Sequence, residues 1–239
     1  MAGEQADVAL DGLRLVVIED EPLFRILLEE SLASRFPTTT VIGSYATAEE
    51  CISELGDEKF DVLVTDIDLG PGMNGPTIAV QLRMSDQVKG VVLLSNLALP
   101  SVLSTLPPKI RGGWSYLLKP SVTNFDQLNR AISSAANGQV LLDDALVQRL
   151  VSKVGSPIDQ LKPRQLDVLN RMARGWSNRR ISEELGLTLR STETIVYDTM
   201  ATLQIREGVD GINPRVSAVL LYLQTTHVNS AKASHPREN

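Results

Sequence analysis

Val62-Leu63-Val64-Thr65-Asp66 decides the fold: an aliphatic, β-branched run without polar alternation, closed by a carboxylate. An apolar run this short and two-sided reads as a strand buried on both faces. Three other runs end in the same way. Leu13 to Ile18 leads into Glu19-Asp20, Val91 to Leu94 into Ser95, and Tyr116 to Leu118 into Lys119. Polar groups recurring at successive strand ends point to parallel strands whose ends share one edge.

Working outward, strands are expected over Leu13 to Ile18, Thr39 to Ile42, Asp61 to Thr65, Gly90 to Leu94 and Trp114 to Leu118. Between and after them lie helical patterns: Pro22 to Arg35, Ala46 to Leu55, Gly75 to Met84, a short one near Leu97 to Leu106, and Asn124 to Ala135. The alternation predicts an α/β domain with a doubly wound, five-stranded parallel sheet covered on both faces. Right-handed crossovers bring every strand's C-terminal end to one edge, where ligand chemistry gathers in such sheets.

That edge would hold Glu19, Asp20, Asp66, Ser95 and Lys119. Crowded carboxylates repel one another, and a hard divalent cation with oxygen ligands relieves the repulsion. Magnesium suits a site that keeps waters and also touches a phosphoryl group. Lys119 can pair with a phosphoryl oxygen, Ser95 can hydrogen-bond another, and an aspartate carboxylate can act as the nucleophile. Each acid alone would read as a loop carboxylate facing water; the recurrence at four strand ends argues against that.

Asn137-Gly138 breaks the last of these helices, and Leu141 to Val151 is expected as a connecting helix capped by Asp143 or Asp144. Gly155-Ser156-Pro157 marks a boundary. Beyond it the pattern is all helical: Pro163 to Ala173, Asn178 to Leu185, Leu189 or Arg190 to Gln204, and Pro214 to Gln224. The expected division is a first domain over 12–136, a linker with its helix over 137–156, a helical domain over 157–226 and a flexible tail over 227–239.

The chain has 239 residues, 43% of them hydrophobic, enough for two modest packed domains. Its formal charge of -6 is uneven. Residues 1–156 carry 12 Lys and Arg against 20 Asp and Glu, while 157–239 carry 11 against 9. An acidic body with a mildly basic tail domain suggests separate jobs. Cys51 is the only cysteine, which excludes a disulfide framework or a cysteine metal cluster. No apolar stretch reaches membrane-spanning length and Met1 to Asp11 has no signal pattern, so a cytoplasmic protein without a membrane partner is expected.

From Leu13 to Ala135 the sequence resembles the flavodoxin-like receiver domain of two-component response regulators. The resemblance implies that Asp66 accepts phosphate from a cognate histidine kinase. It implies Mg²⁺ at Asp20, Asp66 and the Asp68 carbonyl, with Glu19 as the acidic neighbour. Ser95 matches the switch hydroxyl, Tyr116 the switch aromatic, and Lys119-Pro120 the lysine with a cis proline after it. Taken alone, Tyr116 would read as an ordinary sheet aromatic. The loop Ile67 to Met73 looks one residue longer than the family's, with Gly70, Pro71 and Gly72 able to absorb the extra residue.

Pro163-Arg164, Val168-Leu169, Gly175, Ser177-Asn178, Ile181, Leu185-Gly186-Leu187 and Leu203 resemble the LuxR-type helix-turn-helix domain. With the receiver this makes the chain similar to the NarL/FixJ class of transcriptional regulators. Such proteins catalyse only their own phosphotransfer and dephosphorylation, and no nucleophile–base pair appears in the helical domain. The resemblance implies double-stranded DNA as a partner, a homodimer on activation, and a recognition helix from about Arg190 to Gln204. Arg179, Arg180, Arg190, Thr194 and Tyr197 are the candidate DNA contacts, with Arg174 and Arg206 as further basic groups. A pair such as Arg179-Arg180 also occurs as plain surface, and Thr194 and Tyr197 could be solvated. Glu193 stands where that family usually has a phosphate- or base-contacting lysine and Asp198 adds another negative charge, while Ile195 and Thr202 stand at common histidine and lysine positions. Two readings follow: a phosphorylation-controlled regulator of transcription, or a receiver-controlled protein-interaction module. The apolar face Val216, Val219, Leu220 and Leu223 reads either as a dimer surface or as packing.

Overall fold

The computed structural model of the chain describes residues 12–35, 38–97, 101–205 and 212–228. Contacts divide the chain into two units, Met1–Asn96 with Leu106–Leu141, and Leu97–Thr105 with Leu142–Asn239.

In the first unit β1 (Arg14–Ile18), β2 (Thr40–Tyr45), β3 (Phe60–Asp66), β4 (Val88–Ser95) and β5 (Trp114–Leu118) alternate with helices α1 (Pro22–Arg35), α2 (Ala48–Leu55) and α3 (Gly75–Met84). The short α4 (Ser101–Ser104) follows β4 in the chain. It stands where a longer helix is expected from Leu97 to Leu106, and residues 98–100 of that stretch lie outside the described ones. Helix α5 (Phe125–Ala136) follows β5, and the sheet order is β2-β1-β3-β4-β5-β6. The β1–β2, β1–β3, β3–β4 and β4–β5 pairs are all parallel. The five expected strands are joined by a sixth, β6 (Val140–Leu142). All three of its residues are buried, as a consecutive apolar run requires of a strand and not of an amphipathic helix.

Side-chain caps fix where the helices begin. Thr47, Asn74 and Asn124 accept from the backbone N–H groups of Glu50, Thr77 and Gln127 to start α2, α3 and α5. Odd-numbered β1 residues Leu15 and Val17 pack with Val62, Val64, Val92, Leu94 and Leu117 against Leu128, Ala131 and Ile132 of α5. The alternation of strand side chains puts Leu63, Thr65, Leu93 and Tyr116 on the other face.

The expected connecting helix over Leu141 to Val151 is not continuous. After β6, Asp143 accepts from Ala145 N (2.8 Å) and caps a single turn, α6 (Asp144–Val147). The chain then extends as β7 (Leu150–Ser152) and pairs antiparallel with β8 (Thr226–Val228). A buried run, a cap and β-branched Val151 break the helical period in turn. His227, expected in a flexible tail, sits in β8; residues 229–239 lie outside the described ones.

The second unit carries α7 (Pro163–Ala173), α8 (Asn178–Leu185), α9 (Leu189–Thr202) and α10 (Pro214–Thr225). Ser177 caps α8 and Thr188 caps α9. Between them Gly186 is left-handed (φ 62°), with Leu187 N bonded to Ser182 O (2.8 Å) and Gly186 N to Glu183 O (3.3 Å). This αL turn stops α8 and reverses the chain into α9. Val216, Val219, Leu220 and Leu223 of α10 are all buried within the chain, so that apolar face is packing rather than an open dimer surface.

Candidate functional site

Parallel pairing aligns the strand ends as expected. Ile18 of β1 sits beside Thr65 of β3, and Asp66 beside Leu94 of β4, one residue before Ser95. Lys119 follows β5 directly, at the start of a 3-10 turn over Lys119–Thr123. No cis peptide occurs among the described residues, so the Lys119–Pro120 bond is trans, with Pro120 early in that turn, a position its fixed φ suits.

The edge is a buried charge cluster. Lys119 Nζ lies 2.8 Å from Asp66 Oδ2 and 2.9 Å from both Glu19 Oε1 and Glu21 Oε1. Glu19 is fully buried, and Asp66, Ser95 and Lys119 nearly so, while Asp20 is exposed. Oxygens of Glu19, Asp20 and Asp66 all come within 4.8 Å of one another. Burial pushes the Glu19 carboxyl above the usual carboxylate range against the pull of Lys119, and the charge of Asp66 adds to the rise. Burial works to lower the Lys119 ammonium, but its bonds to Asp66, Glu21 and Glu19 outweigh that and hold it above the usual lysine range.

These residues fit a divalent cation. Glu19 Oε2 is buried with no hydrogen-bond partner, a lone pair that a cation would satisfy. Asp68 is exposed and its backbone N–H donates to Asp66 Oδ1 (3.3 Å), while its own carboxylate accepts from Gly70 N (3.3 Å).

The loop after Asp66 is held at its far end. Glu49 of α2 accepts from Met73 N (2.8 Å), and Asn74 caps α3. Gly75 is required there: a Cβ would fall 1.8 Å from the Asp66 carbonyl oxygen. Tyr116 is fully buried on the sheet face away from α5.

Three neighbours escaped the sequence reading. Glu21 adds a third carboxylate to Lys119, Arg25 donates to the Glu19 carbonyl (2.5 Å), and the Phe24 ring centre lies 4.9 Å from Lys119 Nζ. The acidic run Glu19-Asp20-Glu21 was the available signal for the first.

The candidate DNA residues are not gathered in the same sense. Arg190, Thr194 and Tyr197 share an exposed stretch of α9 with Glu193 and Asp198, and Tyr197 is 74% exposed. Spacings of three, four, seven and eight residues from Arg190 put all five on one face. The Thr194 hydroxyl donates to the Arg190 carbonyl (3.0 Å) within its own helix. Arg179 faces Glu183 (3.4 Å), and Arg180 stacks over Trp176 (4.4 Å to the ring centre). Among the described residues Arg190 has no ion-pair partner; Arg206 lies outside them.

Residues 15–133 match the family model described as the response regulator receiver domain. The nitrate/nitrite response regulator protein NarL of Escherichia coli (strain K12) is 26% identical over 204 residues, covering 82% of this chain and 91% of that protein. The transcriptional regulatory protein LiaR of Bacillus subtilis is 26% identical over 202 residues, covering 82% and 92%. Among solved structures, the RcsB response regulator of Salmonella typhimurium is similar at 17% identity, covering 90% of this chain and 99% of that one, with a TM-score of 0.48. No described helix is long and apolar enough to cross a membrane.

Proposed function

The chain belongs to the response regulators, a receiver domain joined to a helix-turn-helix domain, and from this we propose that Asp66 is its phosphoryl acceptor and α9 its output element. The observation that carries the proposal is the Lys119–Asp66 pair, 2.8 Å apart and buried beside Glu19.

In the proposed transfer an Asp66 carboxylate oxygen attacks the phosphorus of a phosphohistidine on a partner kinase. The new P–O bond makes an acyl phosphate while the P–N bond breaks, its electron pair staying on the imidazole nitrogen. Lys119 offsets the added negative charge through charge-assisted hydrogen bonds, and the Ser95 hydroxyl sits one residue beyond Asp66's strand neighbour to bond another oxygen. Magnesium held by Glu19, Asp20, Asp66 and the Asp68 carbonyl would supply charge neutralisation at the phosphoryl oxygens. The new charge then biases Ser95 and Tyr116, and through them the face of the receiver that governs its partner choice.

The output is transcriptional regulation, with α9 in the major groove of double-stranded DNA, dimerisation on activation, and a cytoplasmic setting. The naming of LiaR as a transcriptional regulatory protein supports this. A second reading has its own observation: the exposed α9 face carries Glu193 and Asp198 against Arg190, which suits a basic protein segment better than phosphates.

Labelling by a small phosphodonor tests the first step. Asp66→Asn is expected to abolish it, and persistent stoichiometric labelling of the variant overturns the assignment. Binding of the phosphorylated full-length protein to duplex DNA at low salt separates the two outputs; its absence leaves only the second.

A further inference from the structure

We propose that Glu21 is a positioning residue that competes with the incoming phosphoryl group for Lys119 and so restrains entry into the phosphorylated state. This rests on the reading of Asp66 as the acceptor. An ammonium has three N–H donors, and Lys119 meets three carboxylates: Asp66 at 2.8 Å, Glu19 at 2.9 Å and Glu21 at 2.9 Å. Its donors are fully committed, so a phosphoryl oxygen gains one only by displacing an acceptor.

The three acceptors are not equally displaceable. Glu19 is fully buried, and its Oε1 also accepts from Glu21 N (3.1 Å), while Oε2 already lacks a partner. Turning it away would leave two buried oxygens unsatisfied, a large cost. Asp66 is the group that reacts. The Glu21 side chain is 59% exposed, so its carboxylate can rotate into water with little loss. The Phe24 ring, 4.9 Å from Nζ, offers no acceptor to replace it. Glu21 is therefore the partner that Lys119 gives up. Until it leaves, its charge also opposes a phosphoryl anion, so both effects act in the same direction.

The test is titration of full-length protein with beryllium fluoride, a phosphoryl mimic, in the presence of Mg²⁺. Glu21→Ala is expected to bind it about threefold tighter, within the range of one exposed ion pair, and Glu21→Gln to fall between. In a Lys119→Met background the gain from Glu21→Ala should shrink to the small part set by charge repulsion alone. An undiminished gain there shows a field effect only and overturns the competition. Where Lys119→Met does not fold, the ¹⁵Nζ resonance of Lys119 decides: Glu21→Ala should shift it and speed its proton exchange in the free protein. An unmoved resonance overturns the proposal. Equal affinity of wild type and Glu21→Ala sinks the competition alone, whereas a wild type that binds no beryllium fluoride sinks the acceptor reading and this proposal with it.

Discussion

The rim of the receiver sheet and the outer face of α9 both carry charged side chains, and they constrain those charges very differently. At the rim Glu19, Asp66 and Lys119 are removed from water, so each must find a partner or pay a desolvation cost of several kcal/mol. On α9 Arg190, Glu193 and Asp198 are exposed, and solvent screens them whatever stands opposite. Burial makes the rim nearly self-specifying. Exposure leaves the α9 face free to vary with its partner.

The sharpest way to break this contrast is to remove Lys119, the cation paired with the rim carboxylates. Lys119→Met leaves Glu19 and Asp66 buried side by side with no counter-charge and should destabilise the receiver by about 3–5 kcal/mol in metal-free buffer. Urea unfolding measures it, and added Mg²⁺ should return part of the loss through mass action. Unchanged stability without metal would mean that the rim charges are solvated after all, like those of α9.

On α9 the effect should appear in binding and leave folding alone. Glu193→Lys or Asp198→Lys replaces an exposed negative charge by a positive one, with stability expected to move by no more than about 0.5 kcal/mol. If this face lies on DNA, each change should strengthen binding and steepen the salt dependence by about one phosphate contact. DNA affinity that ignores both substitutions would place the face on a protein partner instead.

The same contrast governs what the sequence discloses. Strand ends were legible because buried apolar runs stop abruptly at Glu19, Asp66, Ser95 and Lys119, and parallel topology does the rest. The turn of the second unit was legible from Ser177, Gly186 and Thr188, whose signals act within a few residues. Glu21 was not: an acid ahead of a helix reads as solvated, and its partner lies 98 residues away. Strands β7 and β8, three residues each, are too short to show a period, and their pairing joins Leu150–Ser152 to Thr226–Val228 across most of the second unit. The commitment of Arg180 to Trp176 and of Thr194 to its own helix carbonyl is likewise invisible without coordinates. Local grammar is read easily; charge pairing over long separations is not.

The smallest expected effect comes from the opposite end of the same sheet, where a carboxylate is paired but only partly covered. Asp61 accepts from Arg14 N (2.9 Å) and from Lys89 Nζ (2.8 Å). Burial pushes its carboxyl up, but the Lys89 bond, the Arg14 N–H and the two positive charges outweigh that and hold it below the ordinary value of 3.8. A carboxylate with a depressed folded pKa stabilises the native state above its unfolded pKa, and that contribution is lost as pH falls through the folded value. Asp61→Asn should therefore cost about 1 kcal/mol near neutrality, since Lys89 is well exposed and Asp61 is not. The gap between wild type and variant should close as pH drops below about 4. A gap that stays constant into acid would assign the effect to shape or to the neutral hydrogen bond from Arg14 N, and would show that the remaining exposure is enough to screen this pair. Closure at acid pH would instead put Asp61 on the rim's side of the contrast, ordered by charge even where water still reaches it.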